Sequence, residues 1–280
     1  TFWLEKGIDG WRLDVPNEIP IDFWVEFRSK VKGINPDAWI LGEIWGDARP
    51  WLQSKIFDGV MNYSVGWSTL SWSAGNRLRT SYRNSSYPLK KLNSKTYSSI
   101  LNNILSMYEA DINKCQLNLL DSHDVPRALN TLNNDIKALK IALLIIFLLP
   151  GAPCIYYGTE DYMSGGRDPE CRESLMWNSL DNQDLKKYLL SLKELRQYLN
   201  HLHHSLLVWK EFEKDCILGT LTQNDEALTS ISEIQVFINR SRKKSISIPK
   251  RKCSPLFMLG SIEGDLQKIG PQSAVVLSLG

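Results

Sequence analysis

The sequence predicts an α/β protein in which buried parallel strands alternate with helices, followed by a small all-β unit. Three observations carry that prediction. Apolar runs at 8–15 (IDGWRLDV), 39–45 (WILGEIW) and 116–124 (QLNLLDSHD) are nearly continuous and bring an acidic residue to their ends. Strands buried on both faces look like this, whereas half-exposed strands alternate. A helical pattern separates the first two runs, and strand, helix, strand at this spacing forms a unit with a parallel sheet. After about residue 204 the long helical patterns give way to short strand-like runs.

Along the chain, Phe2, Trp3 and Leu4 read as the tail of a helix that Gly7 stops. The first strand follows at about 8–14. Phe23, Phe27 and Val31 recur at i, i+4 and i+8, so a helix over 21–31 is expected to bury them on one face. Gly33 is expected to end it, with Asn35-Pro36 blocking continuation. Strand-like runs come next at 38–45 and 58–63. Residues 71–99, rich in Ser, Arg, Lys, Asn and Tyr, are expected to loop and lead into a helix at about 98–113. A strand at 116–121, a helix from Asn134 to Leu149, a strand at 153–157 and a last helix from Leu180 to Leu199 complete the alternation. The runs 217–221, 234–238 and 274–277 are the strands expected of the small all-β unit. The expected domains are residues 1–203 and 204–280.

Composition narrows the function classes. The chain has 280 residues, 43% of them hydrophobic, with 33 basic and 31 acidic residues for a net charge of +2. That balance gives no general attraction to nucleic acid or to an anionic membrane, and neither is expected as a partner. Lys243, Lys244 and Lys250 to Lys252 form a basic cluster that reads as a solvated surface. Five widely spaced cysteines, an odd number with no CxxC pair, argue against a disulfide framework and fit a reduced, cytoplasmic setting. Cys154, in an apolar run, reads as a core residue. The longest apolar stretch, 141–149, is too short to span a bilayer.

The candidate chemistry lies at the ends of the strands. Asp14, Glu43 and Asp124 each stand where a strand passes into its loop, the edge on which barrels of alternating strands and helices gather catalytic residues. Three carboxylates without a metal-ligand cluster point to acid/base work on a neutral substrate, with no cofactor and no metal. Arg12, two residues before Asp14, shares its face and favours the ionised aspartate. Taken alone, the pair also fits a buried ion pair. Glu43 is flanked by Ile44 and Trp45, and an apolar setting of that kind is expected to raise its pKa. His123-Asp124 taken alone also fits a turn or capping pair. Trp45, Asn62 and Tyr63 follow strand ends and are candidate substrate-binding residues, since aromatic faces pack against apolar surfaces of a ligand. Trp45 and Tyr63 equally fit loop anchors.

The stretches GIDGWRLDVPNEI, ILGEIWGDARPWL, FDGVMNY, LLDSHDVPR and PGAPCIYYGTEDYMSGGRDPECR, in that order over about residues 1–175, resemble the α-amylase family, glycoside hydrolase family 13. Within it they look most like the neopullulanase, cyclomaltodextrinase and maltogenic amylase group. The resemblance implies a partial (β/α)8 barrel, about strands 4–8. It implies retaining hydrolysis of α-1,4-glucosidic bonds in maltooligosaccharides, cyclodextrins or pullulan. Asp14 would be the nucleophile and Glu43 the acid/base. Asp124, with His123, would hold sugar hydroxyls and help distort the ring. The expected partner is an α-glucan oligosaccharide, and a homodimer is expected of the full-length protein. Val125 stands where the family usually has Thr, Thr159 where members often have Asp, and Tyr162 where they have Gly. The family's first three strands and its histidine-bearing motif are not among the matched stretches, so the chain is expected to be the C-terminal part of a longer protein. A non-catalytic relative acting in sugar binding or protein interaction is the alternative, which the intact acids argue against. A partial product without function is a third.

Overall fold

The computed structural model describes residues 1–175, 177, 183–200, 206–222 and 233–279. The expected boundary at 203/204 and the expected helix start at Leu180 lie outside them.

The first part of the chain alternates as its pattern predicts. Helix α1 (Phe2–Glu5) ends ahead of Gly7, whose φ is +89°. Strand β1 (Gly10–Leu13), helix α2 (Ile21–Ile34), strand β2 (Trp39–Gly42), a short α3 (Arg49–Leu52) and strand β3 (Gly59–Val60) follow. β1 pairs with β2 and β2 with β3, all parallel. Helices α4 (Tyr63–Ala74), α5 (Ser94–Ser106) and α6 (Ala110–Lys114) lead to strand β4 (Leu117–Leu119). A parallel bridge between Met61 and Leu117 joins the β3 end of the first sheet to β4. After α7 (Ala128–Thr131) and α8 (Ile136–Leu148), strand β5 (Ala152–Cys154) pairs with β4, again parallel. The strands therefore form one arc in chain order, and all their C-terminal ends face the same rim. That rim is where Asp14, Glu43 and Asp124 stand.

Helix α8 is apolar on every side because it is surrounded. From Ala138 to Leu149 its residues are buried, apart from the half-buried Lys140. Asp135 starts it by accepting from the Lys137 and Ala138 N–H groups. Helix α4 packs so close to β4 that a side chain at Gly66 would put its Cβ 2.6 Å from the Leu119 carbonyl oxygen. Gly66 is therefore fixed by backbone approach.

Four local expectations are corrected. Phe23 is 52% exposed, and the buried residues of α2 are Trp24 and Val31. Trp24 packs edge-on against Phe57 and donates from Nε1 to the Pro16 carbonyl at 2.8 Å. That tether turns Trp24 inward and carries Phe23 to the outside. Gly33 lies inside the helix; the chain leaves it at Asn35, whose extended backbone is what the residue before a proline prefers. The expected helix over 98–113 is two helices, with Asn113 Nδ2 donating to the Leu105 and Tyr108 carbonyls at the break. Cys154, expected in the core, is half-buried against its edge.

The last part of the chain is antiparallel. After α9 (Gln183–Asn200) come β6 (Leu206–Glu213), β7 (Cys216–Thr222), β8 (Glu233–Asn239), β9 (Ile246–Ser247), β10 (Cys253–Leu259), β11 (Ile262–Glu263), β12 (Lys268–Ile269) and β13 (Ser273–Leu279). They form a sheet of order β10-β13-β8-β7-β6 and a smaller one of order β11-β12-β9. Cys216, Phe237, Ile246, Ile269 and Val275 meet in a cluster shared by both sheets. Arg240 ties this part to the first, donating to the Trp72 and Leu92 carbonyls and pairing with Asp215. Among the described residues no helix is long and apolar enough to cross a membrane.

Candidate active site

The site begins with the ladder between β1 and β2. Leu13 stands opposite Gly42, and the Glu43 N–H donates to the Leu13 carbonyl at 3.0 Å. The residues that follow, Asp14 and Glu43, leave neighbouring strands at the same level. Alternation along β1 puts Arg12 and Asp14 on one face. Arg12 uses both ends of its guanidinium: Nη1 holds Asp14 Oδ1, and Nη2 lies 2.8 Å from Glu43 Oε2. The Asp14 side chain is 74% exposed, whereas that of Glu43 is 5% exposed. One carboxylate thus faces the solvent side of the rim and the other is sunk beneath it.

The surroundings of Glu43 differ from the apolar setting its neighbours suggest. Besides Arg12, the Val15 N–H donates to Oε2 at 3.2 Å and the Trp45 indole N–H to Oε1 at 3.3 Å. Ile44 is buried but belongs to the cluster behind β2. The expectation fails because residues adjacent in a strand point to opposite faces, so Ile44 cannot shield Glu43.

Trp45 and Tyr63 pack face to face, with centroids 4.1 Å apart and planes at 16°, and Tyr87 meets both edge-on. Tyr63 is 1% exposed. Its hydroxyl lies 2.9 Å from Ser122 Oγ, which accepts from the Asp124 N–H at 3.1 Å. Burial raises the Tyr63 pKa well above that of a free phenol, and the charges of Glu43 and Asp124 add to the rise. The phenol is therefore a pillar between the two acids. Trp45 covers the Tyr63 ring. Asn62 stands just ahead of α4. Its Oδ1 accepts the Val65 N–H at the start of α4 and its Nδ2 donates to Asn118, so its polar atoms are used inside the fold. Trp45 remains half-buried, with its ring on the pillar.

The third acid follows β4. His123 Nε2 lies 3.1 Å from Asp124 Oδ2. Arg172, from the segment after β5, donates from Nη2 to Asp124 Oδ1 at 3.2 Å and from Nε to the His123 carbonyl at 3.0 Å. Beneath them Asp121 is buried and accepts from the Ala128 N–H at 2.7 Å. Burial pushes its pKa up to about 6, against the pull of that hydrogen bond and of Arg127. Arg127 is itself fully buried, lies 4.7 Å from the ring centroids of both Tyr156 and Tyr157, and donates to the Tyr157 carbonyl at 2.6 Å. Among the described residues no group of His, Cys, Asp and Glu could hold a metal ion.

The structure brings Arg12, Asp14, Glu43, Trp45, His123 and Asp124 onto one rim. Sequence reasoning missed Val15, Ser122 and the grip of Arg172 on Asp124. Arg172 lies in one of the stretches that carry the family resemblance, but contact across 48 residues leaves no trace in local spacing.

The family profile described as Alpha amylase, catalytic domain, matches residues 1–196. The chain is 36% identical over 247 residues to a cyclomaltodextrinase of Geobacillus thermopakistaniensis, covering 87% of this chain and 39% of that protein. It is 38% identical over 202 residues to neopullulanase 2 of Thermoactinomyces vulgaris, covering 72% and 32%. A crystal structure of a debranching enzyme from Nostoc punctiforme superposes with a TM-score of 0.85 at 31% identity, covering 99% of this chain and 59% of that one. The chain spans about two-fifths or less of the length of these two curated relatives.

Proposed function

The chain belongs to the α-amylase family, glycoside hydrolase family 13, and from that premise we propose that its rim acids cleave α-1,4-glucosidic bonds with retention. The substrates would be maltooligosaccharides, cyclodextrins or pullulan, in keeping with the names its relatives carry. The parallel arc is read as part of a (β/α)8 barrel within residues 1–203, and residues 204–280 as a β-sandwich-like unit. Activity is proposed for the protein with the further length that its relatives have.

Asp14, exposed and ion-paired, attacks the anomeric carbon. Glu43 gives its proton to the leaving oxygen and later takes one from water. Asp124, held by Arg172 and Ser122, accepts sugar hydroxyls beside His123. The observation that carries this reading is the Arg12 bridge. One guanidinium reaching an oxygen of each carboxyl favours the spacing of about 5–5.5 Å that retaining enzymes use over the about 6.5–9.5 Å of inverting ones.

An α-glucosyl fluoride tests the division of roles, because fluoride leaves without a proton. Glu43→Gln is expected to release fluoride while turning over maltooligosaccharides poorly, and Asp14→Asn to do neither. The reverse pattern exchanges the roles. Normal maltooligosaccharide turnover by both variants places the chemistry elsewhere.

A further inference from the structure

Val15, between the exposed Asp14 and the buried Pro16, has φ 39° and ψ 49°. A β-branched residue rarely enters the left-handed region, and a residue preceding proline prefers an extended backbone. Strain of this kind persists only where the surroundings over-determine it. Here the Val15 carbonyl accepts the Glu18 N–H at 3.1 Å, and the Pro16 carbonyl accepts the Trp24 indole N–H at 2.8 Å. The turn is thus anchored to α2, and its effect is local. The chain doubles back directly after Asp14, which leaves that carboxylate on the rim and points the Val15 N–H at Glu43 Oε2, 3.2 Å away.

We propose that Val15 is a positioning residue whose strained turn, with Arg12, reserves Glu43 Oε2 as a hydrogen-bond acceptor and so assigns the transferable proton to Oε1. This rests on Glu43 being the acid/base. Two donors already converge on Oε2, Arg12 Nη2 at 2.8 Å and the Val15 N–H. A proton on that oxygen would be directed at both of them. Among the described residues Oε1 has only the long contact to Trp45 Nε1, at 3.3 Å. In the first half-reaction the Oε1 proton passes to the glycosidic oxygen, which keeps the electrons of the broken C1–O bond while Asp14 bonds to C1. In the second, water bonds to C1, its proton returns to Oε1, and the Asp14–C1 bond breaks. Among the described residues the charged or titratable groups around Glu43 are Arg12 from β1, Asp14 just after it, Tyr63 from α4 and Asp124 from the loop after β4.

The test removes the donor and keeps the side chain. Valine 15 is replaced in the chain by its α-hydroxy acid analogue, which turns the N–H into an ester oxygen. The chain is labelled with glutamate carrying 13C at Cδ, and the Glu43 signal is identified by its absence in Glu43→Gln. The Glu43 13Cδ signal is expected to move in the ester, because a donor to its carboxylate is lost. An unchanged signal overturns the proposal. Val15→Gly provides a second measurement, since glycine takes this backbone freely. Its thermal midpoint is expected at or above that of the parent, and a fall of several degrees would show that the turn is unstrained. If Glu43→Gln and Asp14→Asn kept full turnover, the roles of the acids would fail while the Val15 bond stayed measurable. If those variants lost turnover and the ester did not shift Glu43, Val15 alone would be misassigned.

Discussion

Arg12 Nη2 sits 2.8 Å from Glu43 Oε2, an ion pair that crosses from β1 to the end of β2. The same guanidinium holds Asp14, so both carboxyls are set by one planar group. A lysine is a point charge and cannot span two carboxyls in this way. Arg12→Lys is therefore expected to lower kcat/KM on maltooligosaccharides by about 10²–10³-fold, the scale of losing one preorganised electrostatic contact. Steady-state kinetics check this, and parent-like kcat/KM would remove the bridge from the mechanism.

Asp121 gives a pH signature. Burial raises its folded pKa to about 6, above the roughly 3.9 of an unfolded aspartate. Between those values the folded protein holds a proton that the unfolded chain has released. The contribution of Asp121 to stability is thus full below about pH 4 and is lost as pH rises toward 6, by up to about 3 kcal/mol. Asp121→Asn should abolish that segment of the curve. Urea denaturation of parent and variant at pH 4.5 and pH 7.5 reads it as a difference, and equal pH dependence in the two proteins would contradict it.

Gly66→Ala tests the approach of α4 to β4. Alanine in a helix ordinarily gains up to about 1 kcal/mol over glycine. Here the new Cβ would lie 2.6 Å from a backbone oxygen that cannot swing away. The expected net result is a loss of about 1–3 kcal/mol. A raised thermal midpoint would mean that the helix can slide outward.

Asp135 joins the two parts of the chain. Its Oδ1 caps α8, and its Oδ2 receives Arg242 and the Gln272 amide, the latter at 2.9 Å. Asp135→Ala removes a cap worth about 1 kcal/mol together with both contacts. A loss of about 2–3 kcal/mol in chemical denaturation is expected. A loss confined to the cap would show that the Arg242 and Gln272 contacts contribute little.

Much of the site was legible in the chain itself. The apolar runs ending at Asp14, Glu43 and Asp124 place three acids on one rim of a parallel arc, because burial on both faces and the period of a strand are local properties. The pairing of Arg12 with Asp14 follows from the same period. Other features depend on distant partners. Glu43 meets a backbone N–H 28 residues away, and Tyr63 is sealed by Trp45 and Ser122. Phe23 is turned outward by a tether between Trp24 and Pro16. Local sequence decides which way a side chain leaves its strand or helix. Only the packed structure decides which donors, rings and charges meet it there, because the neighbours that desolvate a group or hydrogen-bond to it come from other elements brought alongside by the fold.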